Sequence, residues 1–324
     1  MIYEFAVDPH ILTRWETYDR IVNDCGVEKG RLISDFPNRW KAMVKDEVLT
    51  NPETSPLDLQ RILFHLQHRV ATKLIPTDRT YDLGDPDWLG QAVREHDRGQ
   101  PFRAIIAGSN STDHPKVIVA DTLDREADPR WNVPKSDLIP RTPYDLAALA
   151  RPLFKISREV RFVDPHFKPD EPRYQDSLAA FLLTLRSANA RVSCVEFHLS
   201  VAWDRVTRSE RPFADFLGTC ETHLPQIIPA GFEVRFFRWR QRPRGEALHP
   251  RLILTDRGCI RVDHGLDAGR DGESTPVSLV DESERTKHWA DFDHEPPANV
   301  GAEWQSTFGL ETGNPVVVRG TALT

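Results

Sequence analysis

Apolar positions in the second half of the chain switch between a period of two and a period of three to four. Four segments alternate or run apolar over strand lengths: 158–163, 192–199, 232–239 and 250–256. Apolar residues recur at helical spacing in the two segments between the first three, 174–188 and 213–224. Strands that alternate with helices predict a mixed, mostly parallel sheet flanked by helices. We therefore predict an α/β domain over residues 151–324.

The first half of the chain predicts a different organisation. One short strand precedes three stretches with apolar residues at helical spacing: 11–22, 36–44 and 57–66. We predict a mainly helical N-terminal module over 1–85, with an adaptor, dimerisation or specificity role left open. Residues 86–150 predict a connection that contains a hairpin and then a Pro-rich stretch before a helix over 144–154.

Charge and composition narrow the class of protein. The chain has 324 residues and a formal net charge of −7, and no apolar run approaches the length of a membrane span. The first residues lack the basic start and apolar core of a signal peptide. Four widely spaced cysteines form no ligand or disulfide pattern. We expect a cytoplasmic protein with no membrane partner.

The sequence His249-Pro-Arg-Leu-Ile-Leu-Thr-Asp256 fits the phosphodiesterase pattern H-x-K-x4-D, with Arg251 in the lysine place. Side chains alternate along an extended segment, so His249 and Arg251 point to the same face. There the imidazole can attack a phosphorus while the guanidinium holds its oxygens. Residues 257–267 predict a turn and a second strand that folds back as a hairpin. The alternative is a plain buried strand with His249 at its exposed start.

This hairpin and the strand-helix series before it resemble the phospholipase D superfamily over about residues 150–295. The resemblance implies a phospholipase D-like fold and a histidine nucleophile that works without a metal or other cofactor. The chain departs from the family pattern in two ways: Arg251 replaces lysine, and Gly265-Leu266-Asp267 stands where the family has an earlier Gly-Ser pair. On this basis His249, Arg251 and Asp256 are candidate catalytic residues.

A second segment, His114-Pro-Lys-Val-Ile-Val-Ala-Asp121, fits the same pattern without substitution. Family members with two motifs form one active site from both, with one histidine as nucleophile and the other as acid. His114, Lys116 and Asp121 are therefore candidate catalytic residues as well. The alternative is an exposed hairpin, because the helical sequence before His114 lacks the strand-helix series of a complete first half.

Further candidates flank the later motif. Asp164 and His166 follow the strand at 158–163, at the edge where parallel sheets bind ligands, and we assign both to phosphate or nucleic-acid binding. Arginines concentrate before His249, around a tryptophan that is able to stack a base, and we assign four of them to phosphate or nucleic-acid binding: Arg238, Arg240, Arg242 and Arg244. The alternative is a solvated strand edge whose charges block unwanted pairing.

Metal sites find less support in the sequence. His65 and His68 are neighbours on a predicted helix without a cysteine or acidic partner, so we interpret them as surface histidines. Asp256, Asp263, His264 and Asp267 form a weaker metal candidate, since tight turns use aspartate for backbone bonding. We therefore assign no metal ligand.

The resemblance to the phospholipase D superfamily implies a metal-independent phosphodiesterase that acts on nucleic acid, and we expect a nuclease of a bacterial antiviral defence system. If only the later motif is active, a homodimer would supply one histidine from each chain. The alternative function is a catalytically silent phosphate-binding or protein-interaction module of a larger assembly, which the change to Arg251 keeps open.

Overall fold

The computed structural model describes residues 1–99, 101–189, 191–201, 203–204, 209–241, 248–293, 308–310 and 315–322, with the backbone alone given for 203–204, 240–241 and 308–310. The chain divides into two compact units, Met1–Lys135 and Ser136–Thr324. We call them unit 1 and unit 2. No helix within the described ranges has the length and apolar character needed to cross a membrane.

Unit 1 is built on a five-stranded parallel sheet. Its strands are β1 (Tyr3–Val7), β2 (Arg31–Ser34), β3 (Leu74–Ile75), β4 (Ile105–Ala107) and β5 (Val117–Val119). They lie in the order β3-β2-β1-β4-β5, and every neighbouring pair is parallel. The order reverses between β1 and β4, as in doubly wound α/β folds.

Four α-helices of unit 1 connect or cover these strands: α1 (Trp15–Val22), α2 (Trp40–Thr50), α3 (Pro56–His68) and α4 (Trp88–Asp97). The start of α3 follows from sequence, because the Ser55 side chain accepts a hydrogen bond from the Asp58 backbone N–H and Pro56 takes the first helical position. Alternate residues of β1 pack into two separate clusters, Phe5 and Val7 into one and Ala6 into the other. Both faces of the sheet are therefore buried.

Unit 1 corrects two predictions from the sequence. Residues 1–85 are not a mainly helical module, because three of their segments are strands of a sheet that continues to Val119. Two of these strands, β2 and β3, have four and two residues, too few to show a period. The predicted hairpin is also wrong, since β4 and β5 pair in parallel, with Ile105 opposite Val117. The unit extends to Lys135 without a break at residue 85.

Unit 2 is built on a nine-stranded mixed sheet in the order β15-β11-β8-β7-β12-β13-β14-β6, with β16 also paired to β11. Its strands are β6 (Ser136–Pro140), β7 (Val160–Val163), β8 (Cys194–Ser200), β11 (Glu233–Gln241), β12 (Leu252–Thr255), β13 (Cys259–Val262), β14 (Ser274–Leu279), β15 (Phe308–Leu310) and β16 (Val316–Arg319). The short strands β9 (Trp203–Asp204) and β10 (Ser209–Glu210) form a separate antiparallel pair.

The strands predicted at 158–163, 192–199, 232–239 and 250–256 are all present in unit 2, as β7, β8, β11 and β12. The first three are parallel, and β12 and the strands beyond it are antiparallel. The sheet is therefore mixed, and its parallel part is smaller than predicted. The hairpin of β12 and β13 is confirmed, with Leu252 opposite Arg261.

The helices of unit 2 are α5 (Pro143–Ile156), α6 (Pro172–Ala188), α7 (Phe213–His223) and α8 (Glu282–Asp291). Leu252 and Leu254 of β12 share a buried cluster with Phe292, just beyond α8. A second buried cluster contains Phe154 of α5, Phe181 of α6 and Phe162 of β7, whose rings meet edge to face or tilted. Helices thus cover both faces of the central strands.

Candidate active site

The start of β12 lies at the carboxyl edge of the parallel strands in unit 2. Because β12 runs antiparallel to β7, its first residue, Leu252, pairs with the last residue of β7, Val163. Leu252 also pairs with Arg261 of β13, and the backbone oxygen of Arg251 accepts a hydrogen bond from the Val262 backbone N–H. The loops before β12, after β7 and after β13 therefore leave the sheet at one edge.

Each of these three loops carries an exposed histidine: His249 before β12, His166 after β7 and His264 after β13. Each lies two or three residues beyond the last paired position of its strand. Neighbouring strands are about 4.8 Å apart, so side chains that leave three adjacent strands at one edge have a common surface within reach. Two of these histidines, His166 and His249, are among the residues that the sequence predicted.

Arg251 immediately precedes β12, two residues after His249. It is partly buried, and its Nη1 donates to the backbone oxygen of His249 over 3.4 Å. Among the described residues, its Nε is buried without a hydrogen-bond partner. An arginine fork with an unused buried donor is suited to a ligand that supplies oxygens.

Asp164 holds the loops of this edge together. Its carboxylate, which is buried, accepts hydrogen bonds from the backbone N–H of His166 (2.9 Å) and of Leu266 (2.8 Å). Burial raises the pKa of Asp164 above its ordinary value, although both bonds act to lower it. Asp164 thus positions the loops of His166 and His264, which is a different role from the predicted contact with phosphate.

Asp267 anchors the loop of His264 from the other side. Its buried carboxylate accepts a hydrogen bond from Arg141, and its Oδ2 lies 3.0 Å from Nη1 of Arg173 at ion-pair distance. Arg141 also donates to the backbone oxygen of His264 over 2.7 Å. Gly265 has a φ of +116°, and a Cβ there would lie 2.6 Å from Oδ1 of Asp267. The loop can therefore approach the carboxylate only with glycine at this position.

Asp256, the last residue of the motif, lies at the other end of β12. Five residue steps of extended chain separate it from Arg251, which is roughly 16 Å. Its Oδ1 accepts from the backbone N–H groups of Arg158 (2.8 Å) and Glu159 (3.3 Å), and its Oδ2 lies 3.1 Å from Nε of Arg257. The structure corrects the predicted catalytic role: Asp256 fixes the start of β7.

The earlier motif lies in unit 1 and has a different arrangement. His114 precedes β5, whereas Asp121 follows it in a 3₁₀ turn, Ala120–Thr122, so the two residues lie beyond opposite ends of the strand. The Lys116 side chain is exposed at the start of β5. Since β5 belongs to a parallel sheet, the three residues do not reproduce the hairpin of the later motif.

The arginine cluster is only partly described. Arg238 is 4% exposed, and its guanidinium donates to the backbone oxygen of Arg211 over 2.7 Å and lies over the ring of Phe216. Trp239 is also buried and donates to Nδ1 of His198 over 3.0 Å. The structure therefore corrects the predicted contact of Arg238 with phosphate and the predicted stacking of Trp239. Arg242 and Arg244 lie outside the described residues, and only the backbone of Arg240 is described.

No pattern in the sequence indicated the remaining parts of this site. Arg141 and Arg173 lie in or next to helices, where arginine is common, and they reach the loop of His264 only in the folded chain. A polar cavity of about 320 Å³ lies near the opposite ends of β7, β8 and β11, and its lining includes Arg158, Arg191 and Arg235. It is separate from the candidate site.

The two weaker metal candidates do not form in the structure. The structure confirms His68 as a surface histidine and corrects the same interpretation of His65, which is buried against Trp15 with its Nδ1 3.4 Å from the hydroxyl of Tyr18. Asp256 lies at the other end of β12 from His264, and Asp267 is held by arginines.

Comparison with known proteins adds no assignment: no protein-family model matches the chain, and no curated protein matches it.

Proposed function

We propose that unit 2 is a phospholipase D-like domain that hydrolyses phosphodiester bonds in nucleic acid, with His249 as nucleophile and Arg251 as the phosphate clamp. The observation that carries this proposal is the convergence of His249, Arg251, His166 and His264 at one edge of the sheet. The order of strands and helices before the β12–β13 hairpin supports it.

The chemistry requires a second proton-transferring group, and His264 is the better oriented candidate. Its Nδ1 lies 3.2 Å from the backbone oxygen of Ser274, so the ring donates there and keeps Nε2 for proton transfer. The ring of His166 has no such orienting bond among the described residues. Acid–base catalysis needs a histidine whose ring is oriented by a hydrogen bond to another group, as the Ser274 backbone oxygen orients His264.

The proposed reaction has two steps. A ring nitrogen of His249 attacks the phosphorus, a P–N bond forms, the bond to the leaving oxygen breaks, and protonated His264 gives that oxygen its proton. Water then attacks the phosphohistidine, gives its proton to His264, and the P–N bond breaks. Arg251 holds the non-bridging oxygens, whose charge increases in both transition states.

Hydrolysis of bis(p-nitrophenyl) phosphate and of labelled single-stranded DNA and RNA tests this proposal. His249→Asn should abolish hydrolysis and change ligand affinity by less than about tenfold, because the lost step is bond-making. The exposed His68 in unit 1 provides a control, since His68→Asn should leave hydrolysis unchanged. Equal hydrolysis by wild type and His249→Asn would refute the proposed nucleophile.

The alternative function is a phosphate-binding module without hydrolysis. The presence of arginine at position 251 favours it, because this fork is bulkier than lysine and must fit around an in-line attack. Binding of oligonucleotides that is lost in Arg251→Ala, together with no hydrolysis of any of these substrates, would support the module over the enzyme.

A homodimer is a second arrangement for the catalytic pair, with histidines from two chains at one site. Complementation distinguishes the two arrangements: mixed His249→Asn and His264→Asn chains regain activity only if a site is shared. We further propose a role in antiviral defence, as the resemblance implies, and a cytoplasmic location. The free thiols of Cys25, Cys194, Cys220 and Cys259 support the location alone, since a reducing compartment keeps thiols unpaired.

A further inference from the structure

Two histidines and an aspartate cluster in unit 1, apart from the site in unit 2. His96 and Asp97 lie at the end of α4, and His114 precedes β5. One potential ligand atom from each residue lies within 4.8 Å of the other two. Nε2 of His114 is 3.4 Å from Oδ1 of Asp97, and the two imidazole rings meet edge to face with centroids 5.1 Å apart.

His96 has a ring nitrogen that the protein leaves unsatisfied. Its Nδ1 is buried and has no hydrogen-bond partner within the described part of the chain. A buried polar atom without a partner has lost its bonds to water, and a ligand at that atom restores the loss.

We propose that His96, Asp97 and His114 bind a divalent transition-metal ion, with Zn²⁺ preferred. Two imidazoles and one carboxylate are a donor set typical of zinc, and the exposure of Asp97 leaves a fourth position open to water. Two ligands at about 2.05 Å from a tetrahedral zinc ion are about 3.3 Å apart. The observed separation of 3.4 Å between His114 and Asp97 is close to this value.

The metal would stabilise a part of unit 1 that lacks a helix. The connection 108–116, all of it described, contains no helix between the parallel strands β4 and β5. A metal shared by His114 and the end of α4 links this connection to the preceding helix. Nδ1 of His114 accepts a bond of 3.3 Å from the Lys116 backbone N–H. Metal binding at Nε2 moves the ring proton to Nδ1, and water takes the place of this long, exposed bond.

Cationic groups near the site set a limit on its affinity. Lys116 and Arg79 both act on His96 electrostatically, as does Asp97 with opposite sign. Two positive side chains oppose the binding of a divalent ion, and one carboxylate favours it. We therefore expect micromolar affinity rather than the tighter binding of a four-ligand structural site.

Calorimetric titration of the full chain with ZnCl₂, after treatment with chelator, tests the proposal. We expect one saturable equivalent, and a loss of affinity of about tenfold or more in His96→Gln, His114→Gln and Asp97→Asn. Asp97 is 60% exposed, so Asp97→Asn should fold even if a histidine variant does not. His68→Gln is the matched control, and its titration should equal that of the wild type.

Absorption of bound Co²⁺ provides a second readout. The wild type should show the visible band of four-coordinate Co²⁺, and the three site variants should lack it. Zinc should also raise the unfolding temperature of the wild type and of His68→Gln, because a ligand that binds the folded state stabilises it, and it should leave that of the three site variants unchanged. Absence of a saturable equivalent in the wild type, or its retention in Asp97→Asn and His114→Gln, would overturn the proposal.

Discussion

Replacement of Asp267 by asparagine should destabilise unit 2 and the loop that carries His264. The Asp267 side chain is 3% exposed and pairs with Arg141, whose side chain is 13% exposed. Loss of one partner from a buried ion pair costs about 3–5 kcal/mol, since the remaining charge stays buried. Arg141 keeps the carbonyl acceptors of His264 and Asp267 and lies 3.8 Å from the exposed carboxylate of Glu273, so we expect the lower end of this range, about 3 kcal/mol.

Urea unfolding, with hydrogen exchange to resolve unit 2, measures this loss. A change of about 3 kcal/mol in the free energy of unfolding is roughly a 150-fold change in the equilibrium constant. The Leu266 amide should lose protection, because its bond to Asp164 depends on the position of this loop. If His264 is the catalytic acid, the kcat of Asp267→Asn should fall together with the protection of this loop.

Asp170→Asn is the matched control. Asp170 and Arg211 approach to 4.0 Å with both side chains 38% exposed. Exposed pairs contribute little, so this variant should change the free energy of unfolding by less than about 0.5 kcal/mol. A loss below about 1 kcal/mol in Asp267→Asn would refute the claim that a buried ion pair holds the loop.

Three further predictions follow from the site. Arg251→Lys should retain or raise hydrolysis if the pocket accepts the slimmer cation, and a complete loss with unchanged folding would show that the fork is required. Alanine at Arg240, Arg242 and Arg244 should weaken oligonucleotide binding and flatten its salt dependence, because fewer counterions are released; an unchanged slope would remove them from the interface. The raised pKa of Asp164 means that the folded state binds the proton of this carboxyl more tightly than the unfolded state does. The wild type should therefore gain stability relative to Asp164→Asn as the pH falls toward and below 3.8, the ordinary carboxyl pKa. A stability difference that stays constant with pH would contradict this.

Local sequence determined the elements of unit 2. The apolar periods predicted β7, β8, β11 and β12 and the helices between them, because periods of two and of 3.6 arise within a single element. The β12–β13 hairpin was also predictable, since its turn, Asp256-Arg257-Gly258, lies between two apolar runs. The same local rules placed the start of α3 at Ser55.

Pairing between distant segments decided the rest. The nine-residue connection 108–116 suited a hairpin, and only the sheet of unit 1 shows that it joins parallel strands. Arginines look alike in sequence, yet Arg238 is buried under α7. Burial depends on what covers a strand, which the strand's own residues do not specify.

The candidate sites depend on contacts across the fold in the same way. Asp164 accepts a hydrogen bond from the backbone N–H of Leu266 across 102 residues of chain, and His114 meets His96 through the parallel pairing of β4 and β5. The sequence alone was enough to propose His249 and Arg251 as candidates, because a motif on one extended segment fixes its own spacing. Their neighbours His166 and His264 come together only through strand order and register, which the tertiary structure sets by burying both faces of the sheet.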